Sequence, residues 1–267
     1  MDRRKFLKIS LAATAAAAVS PLMASPLTRL MEENNSKTNT VMTKKMILLN
    51  ASPRKNRNTA QMLESVMKGA QEAGAECELI HLTSLNFKGC MSCMACKRTG
   101  NKCGGLCIQK DDLRPVLEKI LEADALVMGS PIYWSYPTGM FRNVIERLLF
   151  PMLRYDLDPE TGYTKKYLDK RMPTALIYTM NVTPEAYEQM NYGPLHAPDR
   201  QHMEYYFGSC EVLNAHNTWQ FYPDYSKYDT SAVDLDEKQW FRKNQWPKDL
   251  QAAYELGKRL AEKCREE

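Results

Sequence analysis

Met46-Ile47-Leu48-Leu49-Asn50-Ala51-Ser52-Pro53-Arg54-Lys55-Asn56-Arg57-Asn58-Thr59 is the stretch that decides the fold. Its four leading apolar residues read as a short strand buried on both faces. From Thr59 the period changes, and Leu63, Val66, Met67 and Ala70 share one face of a helix over 59–73. A buried strand feeding an amphipathic helix is the opening of a parallel, helix-covered sheet. The turn between them carries no Gly-x-Gly-x-x-Gly and no Gly-x4-Gly-Lys-Ser/Thr, so it is neither a dinucleotide nor a nucleoside-triphosphate fingerprint. It offers Ser, Asn and Thr donors, the Arg54 fork and the N–H groups of a helix start, a set that suits a phosphate monoester. An ordinary polar turn with Thr59 as N-cap accounts for the same residues.

The alternation continues outward. Residues 77–82 read as a second strand. Asp112 is placed to cap a helix that tolerates Pro115 in its first turn and lines up Leu113, Val116, Leu117, Ile120 and Leu121. A third strand (125–128), a helix (140–150), a fourth strand (174–179) and a fifth within 210–221 follow. A last helix stacks Leu250, Tyr254, Gly257, Leu260, Ala261 and Cys264. The fold class is α/β, with helices on both faces of a parallel sheet, and ligands belong outside the strands' carboxyl ends. After the third strand, residues 129–140 combine two prolines, three aromatics and glycine (GSPIYWSYPTGM). Such a stiff, flat-sided loop suits a planar heterocycle; a buried aromatic turn is the alternative.

Cys90, Cys93, Cys96, Cys103 and Cys107 stand in eighteen residues as C-x2-C-x2-C-x6-C-x3-C. The C-x2-C-x2-C run points to an iron–sulfur cluster. Zinc draws ligands as separated pairs, and no second pair lies nearby, but zinc, local disulfides and free thiols remain the competing readings.

At the N-terminus, Arg3 and Arg4 precede Phe6-Leu7-Lys8 and an alanine-rich apolar stretch from Ile9 to Val19. This looks like a twin-arginine export signal over 1–24, with cleavage expected after about Ala24; a ragged amphipathic terminus and an uncleaved anchor are the alternatives. Residues 25–43 read as a polar linker, and 44–267 as one domain. Without residues 1–24, which hold four basic side chains and one acidic one, the net charge of +4 falls to +1. Nothing in that balance argues for nucleic acid.

The motif S-P-R-x-x-x-N-T after a first strand resembles the phosphate loop of flavodoxin-like NADPH-dependent FMN reductases. The resemblance implies a doubly wound five-stranded sheet of order 2-1-3-4-5, FMN as cofactor, and Ser52, Arg54, Asn58 and Thr59 on its phosphate. Arg57 departs from the pattern, where a small residue is usual. The stretch 129–139 is similar to the family's isoalloxazine loop, which places Pro131, Ile132, Tyr133, Trp134, Thr138 and Gly139 on the flavin. A third loop corresponds to Tyr178-Thr179-Met180-Asn181, a weak match. The cysteines resemble those of the iron–sulfur flavoproteins in this superfamily, implying a [4Fe–4S] cluster on Cys90, Cys93, Cys96 and Cys107, with Cys103 as the alternative fourth ligand. A homo-oligomer is implied too. The expected activity is flavin-dependent oxidoreduction, with no side chain assigned as acid or base. Rival readings are an FMN-only quinone or xenobiotic reductase, a non-enzymatic electron carrier, and a zinc- or disulfide-stabilised binding module. Export to the periplasm or cell envelope would leave a protein or quinol as electron donor to a small-molecule acceptor. A cytoplasmic location would allow NAD(P)H or ferredoxin.

Residues 151–172 form a long connection. Residues 187–228 are rich in Tyr, Trp, Phe and His and read either as a cover over the flavin or as a surface or oligomer segment. His81, His196, His202 and His216 make no ligand spacing and are read as structural.

Overall fold

Successive side chains of a strand point to opposite faces, and the first strand uses both. Met46 and Leu48 enter one core while Ile47 and Leu49 enter the other. The computed structural model describes residues 44–160, 162 and 164–266, so the expected signal (1–24) and the linker (25–43) lie outside the described residues. The strands are β1 (Lys45–Asn50), β2 (Glu76–His81), β3 (Ala125–Tyr133), β4 (Tyr136–Pro137), β5 (Leu153–Leu157), β6 (Thr164–Lys166), β7 (Met172–Thr179) and β8 (Gly208–Ala215). Five of them pair in parallel in the order β2-β1-β3-β7-β8, with β4 folded back antiparallel on the end of β3. The expected 2-1-3-4-5 order is therefore present, and β4 brings the sheet to six strands. All eight residues of β7 are buried, as a strand covered on both faces requires.

The helices are α1 (Asn58–Glu72), α2 (Leu113–Glu122), α3 (Gly139–Met152), α4 (Pro184–Gln189), α5 (Tyr192–Phe207), α6 (Leu235–Trp240) and α7 (Trp246–Glu266). Side chains of α1 and α7 fill one core, with Leu63, Val66, Leu256 and Leu260 against Val127 and Ile177. Those of α2, α3 and α5 fill the other, with Leu117, Phe141, Leu148 and Met203 against Leu126 and Leu176. The α1–α7 crossing is backbone against backbone. A Cβ at Gly69 would lie 2.0 Å from the Tyr254 carbonyl oxygen, and one at Gly257 would lie 2.0 Å from that of Val66.

Several sequence boundaries shift for local reasons. Helix α1 starts at Asn58 with Arg57 at its N-cap, so Thr59 does not cap it. Asp112 makes no capping bond; Asp111 Oδ1 accepts from the Leu113 N–H (3.2 Å), and Asp112 Oδ2 accepts from the Asn86 N–H (2.8 Å). The third strand runs on to Tyr133 because β4 pairs with its end. The connection 151–172 contains its own hairpin, β5–β6, and the fifth strand stops at Ala215, leaving 216–221 as loop.

Gly257→Ala should cost more than 2 kcal/mol, since an added methyl here meets backbone that cannot rotate away. A drop in the denaturant midpoint at unchanged m-value would show it.

Candidate functional site

The chain leaves β1, builds β2 on one side, and returns to lay β3 on the other, so the carboxyl end of β1 is a topological switch point. Here the loops after β1 and β3 are tied together. The Ala51 N–H donates to the Gly129 carbonyl (2.8 Å), and the buried Thr138 hydroxyl donates to the Ala51 carbonyl (2.8 Å). Thr138 also caps α3, its Oγ1 accepting from the Phe141 N–H (3.4 Å), and its own N–H donates to Ser130 Oγ (3.0 Å). Ser52 is fixed by its N–H to Asn50 Oδ1 (2.9 Å), and its Oγ accepts from the Arg54 N–H (3.1 Å).

A cleft opens between these loops. Ser52, Arg54, Arg57, Asn58 and Thr59 line one part; Pro131, Ile132, Tyr133, Thr179, Met180 and Asn181 line the rest, with Thr218 and Gln220. Seven of the ten residues expected on a flavin thus share one cleft; Trp134, Thr138 and Gly139 are not in its lining. Thr138 has its hydroxyl committed beneath the loops, Gly139 is exposed at the start of α3, and Trp134 is 97% exposed at the tip of the β3–β4 hairpin. The weak third loop match, by contrast, supplies Thr179, Met180 and Asn181.

The fit to FMN rests on α1. Its N-cap is Arg57 with extended backbone and no side-chain cap, so the first-turn N–H groups and the positive end of the helix are left for an anion beside Arg54. The walls above mix the apolar surface of Pro131, Ile132, Tyr133 and Met180 with polar Thr179, Asn181, Thr218 and Gln220, a lining that suits a flavin ring with polar edges.

Sequence spacing gave no hint of what holds the hairpin. Trp134 (φ 48°) and Ser135 (φ 72°) are both left-handed, the pattern of a type I′ turn without its usual Asn-Gly. Strain of that kind persists only where the surroundings over-determine it. Buried His196 meets the Ser135 carbonyl through Nε2 (2.9 Å). A carbonyl only accepts, so Nε2 carries the proton, and Nδ1 accepts from the Tyr187 hydroxyl (3.1 Å). Ser135 Oγ donates to Tyr192 Oη (3.0 Å). Beneath the opposite wall, buried Lys238 donates to Asn181 Oδ1 (2.6 Å) and to the Thr218 carbonyl (3.1 Å). Burial pushes its pKa down to about 8, against the opposing pull of Glu237.

A second, shallow pocket is lined by Cys90, Cys93, Cys96 and Cys107 together with Met94, Ile108, Phe150 and Pro151. Cys103 is not in that lining; its thiol points to the Ala95 carbonyl (3.8 Å). Among the described residues no group of three or more His, Cys, Asp or Glu is placed to hold a metal ion. The chemistry of the lining suits an anionic cluster: the fully buried Arg147 lies in its wall, and Arg147 Nε has no hydrogen-bond partner. The other guanidinium nitrogens grip Asp111 (2.5 and 2.8 Å) and the Lys88 carbonyl (3.0 Å). Burial works to lower the Arg147 pKa, but Asp111 and the Cys107 sulfur outweigh it and hold the charge. Burial likewise raises the Cys96 thiol, which Lys97 only partly offsets.

The switch-point cleft, the helix start and the loop sequences coincide with a known pattern. Residues 44–168 match the model of the NADPH-dependent FMN reductase family. The match ends before β7, so the aromatic segments beyond it are outside the family pattern. Residues 1–20 match a twin-arginine export signal. An iron-sulfur flavoprotein of Archaeoglobus fulgidus is 43% identical over 103 residues, which is 39% of this chain and 48% of that one. Another, from Methanocaldococcus jannaschii, is 30% identical over 103 residues, covering 39% and 51%. The chain thus spans about half the length of the curated relatives it matches. An NAD(P)H:quinone oxidoreductase from Methanothermobacter marburgensis superposes with a TM-score of 0.57 at 16% identity, over 82% of this chain and 97% of that one, and speaks for the fold alone. No helix among the described residues is long and apolar enough to cross a membrane.

Two outcomes are expected. Asp111→Ala, which strands the Arg147 charge, should cost about 3 kcal/mol in denaturant unfolding, and Asp111→Ala with Arg147→Met should recover part of it. For Lys238 the folded-state pKa lies below the unfolded value, so the unfolded chain binds the extra proton between pH 8 and 10.5. Stability should rise there with pH by roughly 3 kcal/mol relative to Lys238→Met.

Proposed function

We propose that this protein is an FMN-dependent oxidoreductase with a [4Fe–4S] cluster. The observation that carries the reading is one cleft at the switch point that joins an uncapped helix start and Arg54 to a wall that is part apolar, part polar. The start of α1, with Arg54, Asn58 and Thr59, holds the phosphate, and Pro131, Ile132 and Tyr133 orient the ring. Cys90, Cys93, Cys96 and Cys107 hold the cluster over Arg147, and Cys103 stays outside the ligand set. Bound there, FMN supplies the exchange between two-electron and one-electron steps, and the cluster supplies single-electron transfer. The residues of the chain bind, orient and tune; none is assigned a proton.

The export signal supports a periplasmic or envelope location, where a protein or quinol is the electron donor and a small molecule the acceptor. Retention in the cytoplasm would make NAD(P)H or ferredoxin the donor. Tyr133, Trp134 and Tyr136, all exposed on one hairpin, support a homo-oligomer.

Protein purified without oxygen should contain FMN with about four iron and four sulfide per flavin. Cys107→Ser should lose iron and Cys103→Ser should keep it. Flavin without iron would reduce the assignment to an FMN-only reductase, and zinc without flavin would overturn it.

A further inference from the structure

Residues 218–222 leave the far edge of the sheet and cross to the loop after β1. Arg54 Nη1 donates to the Gln220 carbonyl (2.6 Å), and Asn58 Nδ2 donates to that of Trp219 (2.8 Å). The Tyr222 hydroxyl donates to Asn58 Oδ1 (3.2 Å), and the Arg57 guanidinium lies 3.8 Å above the centre of the Tyr222 ring. The segment is anchored at its root as well: the Thr218 N–H donates to the Met180 carbonyl (2.9 Å), and Lys238 holds the Thr218 carbonyl (3.1 Å). Behind it, the buried Tyr225 ring packs on Trp219 (4.6 Å) and Phe221 (5.1 Å), and its hydroxyl accepts from the Gln220 N–H (3.1 Å). Phe221 stacks on Tyr228 (4.5 Å).

This aromatic knot therefore rests on the side chains read as the phosphate grip. Arg57, out of pattern for the family, is the residue that stacks on it. We propose that residues 218–222 are a clamp that closes the phosphate end of the cleft, so that the site accepts a flavin ending in a monophosphate and rejects one continued through a pyrophosphate. The inference rests on the flavin site proposed above.

The chemistry is permissive on one side and closed on the other. A guanidinium carries five N–H donors and an amide two, so one bond each to the clamp orients Arg54 and Asn58 without exhausting them. A phosphate monoester needs donors only toward the helix start. A pyrophosphate must continue past the phosphate, where the clamp's backbone already contacts Arg54 and Asn58. Tyr222 is outside the cleft lining and acts through Arg57 and Asn58, so it is a positioning residue.

The test is a fluorescence titration of flavin-stripped protein with FMN, FAD and riboflavin, in the wild type, Tyr222→Ala and Tyr222→Phe. The wild type should prefer FMN to FAD by at least about a hundredfold. Tyr222→Ala should weaken FMN about tenfold and narrow the FMN/FAD gap by a similar factor, the scale of a lost cation–π contact and hydrogen bond. Tyr222→Phe, which keeps the ring, should retain most of the preference. In wild-type protein, the amides of 218–222 should gain hydrogen-exchange protection with FMN and not with riboflavin, a measurement that stands even if Tyr222→Ala fails to fold. An unchanged FMN/FAD ratio in a folded Tyr222→Ala, or equal protection by FMN and riboflavin, overturns the clamp and leaves the flavin site standing. Wild-type protein that binds no flavin overturns both.

Discussion

The hydroxyl of Thr138 is the bond on which the site depends. It is buried, it caps α3, and it donates to the carbonyl of Ala51 at the root of the phosphate loop. One side chain thereby fixes the distance between the two loops that face each other across the cleft. Without it, the Ala51 carbonyl and the first turn of α3 each lose a partner in a region closed to water, a cost of order 1–3 kcal/mol per group. The sheet brings β1 and β3 side by side, but this cross-loop bond turns two adjacent strand ends into one site.

Around that knot the protein divides its work between two environments. The cleft presents a helix start and Arg54, which keeps donors beyond its bond to the Gln220 carbonyl, the conditions for binding an anion. The cysteine cavity is set on a buried guanidinium whose charge is held by Asp111 and whose Nε faces no partner. Asp111 already balances that charge, but Nε keeps an unused buried donor that an anionic group in the cavity would satisfy. That unmet donor is what supports the proposal of a cluster over four idle thiols.

The fold was legible because it rests on local periodicity: a buried run in β1, then a helical face of Leu63, Val66 and Ala70. Ser52, Arg54, Asn58 and Thr59 share one cleft for a similarly local reason, since they sit on a single strand-to-helix turn. The grip on the hairpin was not. His196 reaches Ser135 across 61 residues, and Lys238 reaches Asn181 across 57, so neither leaves a spacing to read. Thr138 was expected on the flavin; its hydroxyl instead goes to Ala51, a partner 87 residues away. Asp111, not the expected Asp112, accepts from the Leu113 N–H, and the same carboxylate is held by Arg147, 36 residues away.

The central claim is that the start of α1 and Arg54 hold a phosphate dianion. The direct measurement is the ³¹P resonance of FMN bound to the protein, followed from about pH 5 to 8, across the second ionisation near 6. The account predicts a shifted resonance that stays put throughout, because the helix start and guanidinium stabilise the doubly charged form. A resonance that titrates as it does in free FMN would contradict it.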